Sequence, residues 1–311
     1  MSKMNLSVSP HIRSTRTTQN IMLDVIIALV PALIASVVLY GIRALLLTLI
    51  SSGACVLFEY LYEKLMKRPI TVSDLSAVVT GMLVAFNVPV SMPIWMLLVG
   101  DLAAIILAKQ LFGGMGCNFM NPALVGRIVM MFSFTTAITT YSGSTGMVDA
   151  ATSATPLADP ASYGFVKLLL GLHGGVIGES CAAALILGGI YLCVRKVIKP
   201  IIPCVYIGTT LLFTWLFGGA APLESIFAGG LMLGAIYMAT DYVTSPITDK
   251  GKVIFGIFLG LITSVIRVFG NYAEGVTFAI ILGNILVPYI NDLSETKPIG
   301  AIVPDKKKKE A

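Results

Sequence analysis

Apolar residues fall in runs of about 20, the length of helix that crosses a hydrocarbon core. Short polar or Gly/Pro-rich stretches separate them. Ten such runs lie near 21–40, 43–61, 72–88, 93–111, 122–139, 176–194, 201–218, 224–242, 253–270 and 274–291. The third, fifth and eighth are short or interrupted by Gly and Pro, so the pattern is weakest there. The expected fold is an all-α polytopic membrane protein of about ten transmembrane helices.

Composition agrees. Of 311 residues, 56% are hydrophobic and 12% charged, and the mean hydropathy is +0.89. A soluble domain would be about 25% charged, and so few charges cannot cover a water-facing surface of this size. The net charge of +5 therefore reads loop by loop and not as a nucleic-acid patch. Met1 to Asn20 is polar and has no apolar core of its own, so no cleavable signal peptide is expected.

The basic residues alternate between loops. Lys3, Arg13 and Arg16 precede the first run, and Lys64, Lys67 and Arg68 follow the second. Lys109 ends the fourth, and Arg195, Lys196 and Lys199 follow the sixth. Lys250 and Lys252 follow the eighth, and Lys306 to Lys309 lie beyond the tenth. Between them only Arg43 and Lys167 stand out. The positive-inside rule then places both termini in the cytoplasm and the central loop outside, and the cytoplasmic (inner) membrane is the expected location.

Five runs lie on each side of that loop, and the halves echo each other. AFNVPVSMP at 85–93 precedes a run and then FGG at 112–114; ATDYVTSP at 239–246 precedes a run and then FGN at 269–271. An odd number of spans per half inverts the second half relative to the first, and Gly/Pro-broken segments at matching positions of such repeats point to a midplane site. The expected organisation is a cytoplasmic segment 1–20, a first five-helix repeat 21–140, an extracytoplasmic loop 141–175, a second, inverted repeat 176–292 and a basic cytoplasmic tail 293–311.

The central loop is chemically distinct. Val148 to Pro160 reads VDAATSATPLADP: small, hydroxyl-rich and proline-bounded. A surface loop of this kind presents its hydroxyls to an external enzyme, and Ser153 and Ala154 are small enough to let a cleft close on Thr155. Asp149 can hydrogen-bond the turn backbone or help hold a metal that neutralises incoming phosphates. Cys55, Cys181, Cys193 and Cys204 lie in apolar runs as small hydrophobes, and only Cys117 has polar neighbours.

The segment Asp149-Ala-Ala-Thr152-Ser153-Ala154-Thr155 resembles the Dxx[ST]xAT flavinylation sequence of the NqrB/RnfD membrane subunits. Asn121-Pro122-Ala123, with its glycine-rich lead-in, and Ala239 to Pro246 resemble further landmarks of that family, except that Tyr242 stands where proline is expected. The length is closer to RnfD than to the longer NqrB. The resemblance implies FMN attached through its phosphate to Thr155, with Asp149, Thr152, Ser153 and Ala154 as the recognition motif, placed by a separate flavin transferase. It also implies partner subunits of an Rnf-type complex that carry iron–sulfur centres and the nicotinamide site, Na+ or H+ as the transported ion, and a second, noncovalent flavin (riboflavin) in the core.

Charges inside spans are functional candidates. Asp101 lies mid-span in LLVGDLAAII, Asp241 at a break, and Asp249 at the mouth of a cytoplasmic turn. These three are the ion-pathway candidates, with a packing ion pair as the alternative for Asp101 and a solvated turn for Asp249. Asp24 and Glu59 are expected to reach interfacial water, and Arg127 and Arg267 are expected internal partners of the acids. His173 reads as interfacial, Trp95, Trp215, Tyr163 and Phe165 as interface anchors, and Tyr163 to Leu172 as a surface-lying segment.

Two functions fit. The first is the FMN-bearing membrane component of a complex that moves electrons between ferredoxin and NAD and couples them to cation transport. The chain has no GxGxxG after a strand and no iron–sulfur cysteine cluster, so it is not catalytically complete alone. The second is a passive solute channel or secondary transporter, which an inverted repeat suits equally. Thr155 discriminates them, because a channel has no use for a flavinylation motif.

Overall fold

The computed structural model describes residues 16–141, 164–179, 181–219, 221–270 and 275–294. Among these the regular structure is entirely helical. The helices α1 (Thr18–Tyr40) and α2 (Ile42–Leu65) form a hairpin. Gly41 turns it at φ +79°, a conformation open to residues without a Cβ. Thr17 caps α1 by accepting from Asn20 N.

After a 3₁₀ turn, Val72–Asp74, comes the short α3 (Ser76–Phe86). The Asp74 Oδ1 accepts from Ser76 N at its start. Residues 87–93 break the chain before α4 (Ile94–Leu102), which continues as a π-helix over Ala103–Gln110. Then follow α5 (Pro122–Ser133) and α6 (Thr135–Thr139). Beyond residues 142–163 come α7 (Phe165–Leu170), α8 (Ala182–Val194) and α9 (Ile201–Leu216). Next come α10 (Pro222–Phe227), α11 (Leu231–Leu233) running into a π-helix at Gly234–Met238, α12 (Asp249–Phe269) and α13 (Val276–Ser294), the last of the described helices.

Among the described residues four helices, α1, α2, α12 and α13, are long and apolar enough to span a bilayer, and α3, α5, α8 and α9 are shorter apolar helices. Where runs were expected, the described helices are of unequal length. The third is only α3. The fifth divides at Phe134 into α5 and α6, and the eighth divides at Ala228–Gly230 into α10 and α11. The sixth starts at Ala182, six residues later than its apolar run, because residues 175–179 are used otherwise: Ile177 N donates to Val88 O and Gly178 N to Phe86 O.

The burial pattern inverts that of a soluble protein. Leu23, Ile27, Val30, Ile34 and Val38 form an exposed apolar stripe on α1, while Asp24, Ser36, Thr48, Ser51, Glu59 and Glu63 face inward. An apolar outside around a polar inside, on helices of spanning length, makes this a multi-pass membrane protein.

Close approach is set by small residues. A Cβ on Gly81 would stand 2.6 Å from Ser52 Cα of α2. One on Gly188 of α8 would collide with Ala28 O of α1 and the Tyr237 hydroxyl. That hydroxyl donates to Ala28 O (3.0 Å) and Leu185 O (3.1 Å), so α1, α8 and the second π-helix meet at one point.

Candidate functional site

Three polar groupings lie inside the bundle. The first is a ladder on α2. Ser51, Cys55, Glu59 and Glu63 recur every fourth residue, so they share one face, and all four are at most 2% exposed. Opposite them stands α4 with its π-helix. Asp101 Oδ1 accepts from Ser51 Oγ at 2.6 Å and from Cys55 Sγ at 3.6 Å. Glu59 Oε1 meets Lys109 Nζ at 2.7 Å and Gln110 Nε2 at 2.8 Å. Glu63 takes Thr71 Oγ1 at 2.5 Å and Thr71 N at 3.0 Å. The adjacent Lys109 and Gln110 both reach Glu59 because the i→i+5 π-helical winding changes which residues face α2. Asp101 Oδ2 and Glu59 Oε2 remain without partners.

The second grouping is a cavity of about 110 Å³ at the break after the second π-helix. Its polar lining includes Lys109, Asn118, Asn121, Thr240 and Asp241; Val79, Leu83 and Ile236 are among its apolar walls. Asn121 is built in on two sides. Its Oδ1 caps α5 by accepting from Ala123 N (3.0 Å), and its Nδ2 donates to Met238 O (3.3 Å). Pro122 follows at the first helical position, where its missing N–H is no loss. Asp241 Oδ2 accepts from Thr244 Oγ1 at 3.2 Å. Lys109 belongs to the cavity wall and to the ladder, and so joins the two.

The third grouping is Asn87, Arg127, Glu179 and Arg267, all buried or half-buried. Arg127 Nη1 donates to Asn87 Oδ1 at 2.5 Å, and Arg267 donates to Ser225 O at 2.6 Å and Ala228 O at 3.2 Å.

The expected pairings need correction here. Arg127 and Arg267 bracket Glu179, an acid that the hydropathy pattern does not single out, and the aspartates find other partners. Asp24 pairs with Arg195 Nη2 at 3.2 Å and accepts from Tyr191 OH at 2.9 Å. Asp24 and Glu59 are 5% and 0% exposed, so neither reaches interfacial water. Glu179 was detectable in principle: it is an acid in a Gly-rich stretch, GGVIGE, at the start of the sixth apolar run.

The remaining residues singled out in the sequence lie as follows. Asp241 lies in the break and on the cavity wall. Asp249 is the exposed first residue of α12, with Lys199 Nζ at 2.6 Å and Lys252 Nζ at 3.7 Å. His173, expected at the interface, is instead buried, and its backbone oxygen accepts from Tyr40 OH. Trp95, Trp215 and Phe165 are exposed. Cys117 is exposed, and among the described residues no cluster of three metal-ligating side chains occurs. Tyr242 donates from its hydroxyl to Val197 O. Thr155, with Asp149, Thr152, Ser153 and Ala154, lies outside the described residues, as does Tyr163.

The family described as NQR2, RnfD, RnfE matches the chain over residues 5–300. The chain belongs to the NQR2, RnfD, RnfE family. Within this family it is 43% identical, over all of its length and 99% of the relative's, to the D component of the Na(+)-translocating ferredoxin:NAD(+) oxidoreductase complex of Acetobacterium woodii. It is 40% identical to the D component of the proton-translocating ferredoxin:NAD(+) oxidoreductase complex of Clostridium ljungdahlii, over 95% of this chain and 96% of that one. The D component of the ion-translocating oxidoreductase complex of Actinobacillus succinogenes is 33% identical, over 95% and 97%. The family's RnfD branch is therefore the one this chain resembles along its whole length.

Proposed function

We infer that the chain is the RnfD component of an Rnf-type complex, which transfers electrons between ferredoxin and NAD+ and couples them to Na+ or H+ translocation. The observation that carries this is end-to-end identity of 40–43% to two proteins named as that component. Their names divide between Na+ and H+, so sequence similarity does not select the ion. Other Rnf subunits are its partners, and they supply the iron–sulfur and nicotinamide sites that this chain lacks in sequence. The solute-channel reading falls behind, since it explains neither that similarity nor the loop motif.

We further propose that Thr155 carries FMN as a phosphoester, installed by a flavin transferase that recognises Asp149 to Thr155. A flavin supplies one- and two-electron chemistry, and a covalent tether keeps it beside the membrane. The chain's own contribution is a reachable hydroxyl in a small-residue loop on the outer side. For a second, noncovalent flavin such as riboflavin, the cavity beside Asp241 offers the matching lining, although at about 110 Å³ its walls must part to admit the ring system. The Asn118 and Asn121 amides, the Lys109 ammonium and the Thr240 hydroxyl would meet the polar edge of such a ring system, and Val79, Leu83 and Ile236 its faces. Aromatic cofactor sites have this mixture of apolar walls and a few placed polar groups.

The ion path we propose runs through Asp101 and Asp241, with Asp249 at its cytoplasmic mouth. The buried ladder beside Asp101 and the cavity beside Asp241 support it, and Lys109 links them. The energetics close. Moving one cation against ~150 mV costs about 3.5 kcal/mol, and a two-electron drop of roughly 75 mV releases as much.

Thr155→Ala coexpressed with the transferase tests the flavin reading. Mass spectrometry of the loop peptide should find FMN less one water on wild type and nothing on Thr155→Ala, with the fold intact because a water-facing hydroxyl leaves no buried partner unsatisfied. An adduct that persists on Thr155→Ala moves the attachment site elsewhere. A wild-type chain without the adduct sinks the covalent-flavin reading.

A further inference from the structure

Glu179 is 2% exposed, and neither of its carboxyl oxygens has a hydrogen-bond partner. It lies in the segment before α8 that pairs with residues 86–88. Two guanidinium groups exert their charge on it, Arg127 of α5 and Arg267 of α12. Both are tied to other atoms, Arg127 to Asn87 Oδ1 and Arg267 to the carbonyls of Ser225 and Ala228. Tyr141, the residue before the 142–163 segment, also lies within electrostatic reach of Glu179 and Arg127.

The spacing is unusual for an ion cluster. A carboxylate between two arginines normally closes to short, charge-assisted hydrogen bonds. Here a Cβ added to Gly230 would stand 3.7 Å from Arg127 Nη1 and 3.8 Å from Glu179 Oε2. The space over Gly230 therefore lies between cation and anion, and the missing side chain keeps it open. A buried carboxylate without donors is unstable as it stands: it must be hydrated, bind a cation or take a proton. A metal cation needs several oxygen ligands, and this gap offers a single carboxylate. Water suits a small gap lined by polar groups.

We propose that Glu179 is a proton-exchange site, reached by a water seated over Gly230, with Arg127 and Arg267 as its fixed counter-charges. The step is the transfer of one proton from hydronium to a Glu179 oxygen. One O–H bond forms on the carboxyl, one breaks in hydronium, water is released, and no electron moves. The charge of the trio changes from +1 to +2. Neither flavin nor a partner protein is needed, so the site stands apart from the redox reading.

Infrared difference spectroscopy on the full chain, labelled with ¹³C in its glutamate carboxyls and stepped in pH, tests the site. Wild type should show a protonated-glutamate C=O band that shifts in D2O. Glu179→Gln should lose that band while its unfolding midpoint and the remaining carboxyl bands persist. Gly230→Ala fills the gap at a φ of −70°, which alanine adopts freely, and should keep the band but slow its D2O shift about tenfold by displacing the water. A band that survives in Glu179→Gln, or no titrating glutamate in wild type, overturns the site. If Glu179→Gln does not fold, equal exchange in wild type and Gly230→Ala overturns it instead.

Discussion

Lys109 Nζ stands 2.7 Å from Glu59 Oε1, and neither side chain is more than 3% exposed. Lys109 also donates to Ser76 Oγ at 2.6 Å. One ammonium thus ties the π-helix to α2 and to the start of α3, and it does so inside an apolar bundle where an unpaired charge is costly.

Lys109→Met should therefore destabilise the chain by about 3 kcal/mol or more, because it strands the Glu59 carboxylate. Adding Glu59→Gln should recover most of the loss, since a buried pair replaced on both sides is often nearly neutral. Thermal unfolding in detergent measures both. Equal losses in the single and double variants would show that the pair is not the tie.

Packing at Gly188 makes a second test. Gly188→Ala puts a Cβ against Ala28 O and the Tyr237 hydroxyl, and should cost about 1–3 kcal/mol by overpacking. Gly208→Ala on α9 meets nothing within 4 Å, and should gain up to about 1 kcal/mol through helix propensity. The opposite order would mean that α1 and α8 do not pack as described.

Topology gives a third. Reporter fusions at Lys67, Lys196 and Lys250 should read cytoplasmic and one at Ser144 exported, as the alternation of basic loops requires. A cytoplasmic signal at Ser144 would remove the ten-span arrangement, its inverted five-helix repeats and the outer placement of Thr155 together.

Asp241→Asn should lower cation transport per electron by about tenfold, the effect of losing roughly 1.4 kcal/mol of charge interaction. The proposed covalent flavin on Thr155 should be unchanged, because Asp241 lies in the cavity wall and outside the attachment motif. Proteoliposomes containing the whole complex provide the readout. Unaltered coupling would leave Asp241 as a structural partner of Thr244.

The sequence by itself determined the membrane class, because 20-residue apolar periodicity and scarce charge follow from the solvent alone. It also determined the family, because Asp149 to Thr155, Asn121 to Ala123 and Ala239 to Pro246 are local strings. It placed Asp241 at a break, since a Pro-bounded polar stretch cannot continue an apolar helix. Only the tertiary structure decided which charges meet. Whether Arg127 faces Asp101 or Glu179 depends on the rotation and height of α5 against segments tens of residues away, and one residue turns a helix face by about 100°. The π-helix at Ala103–Gln110 shifts that rotation again, bringing Lys109 and Gln110 together onto Glu59. The third, fifth and eighth runs read as short or interrupted in the sequence, but how their breaks are bonded was hidden for a related reason. Residues 87–93, 175–179 and 228–230 are apolar enough to read as membrane-embedded, but part of their backbone bonding goes to distant partners, Val88 O to Ile177 N and Ala228 O to the Arg267 side chain, which no local pattern announces.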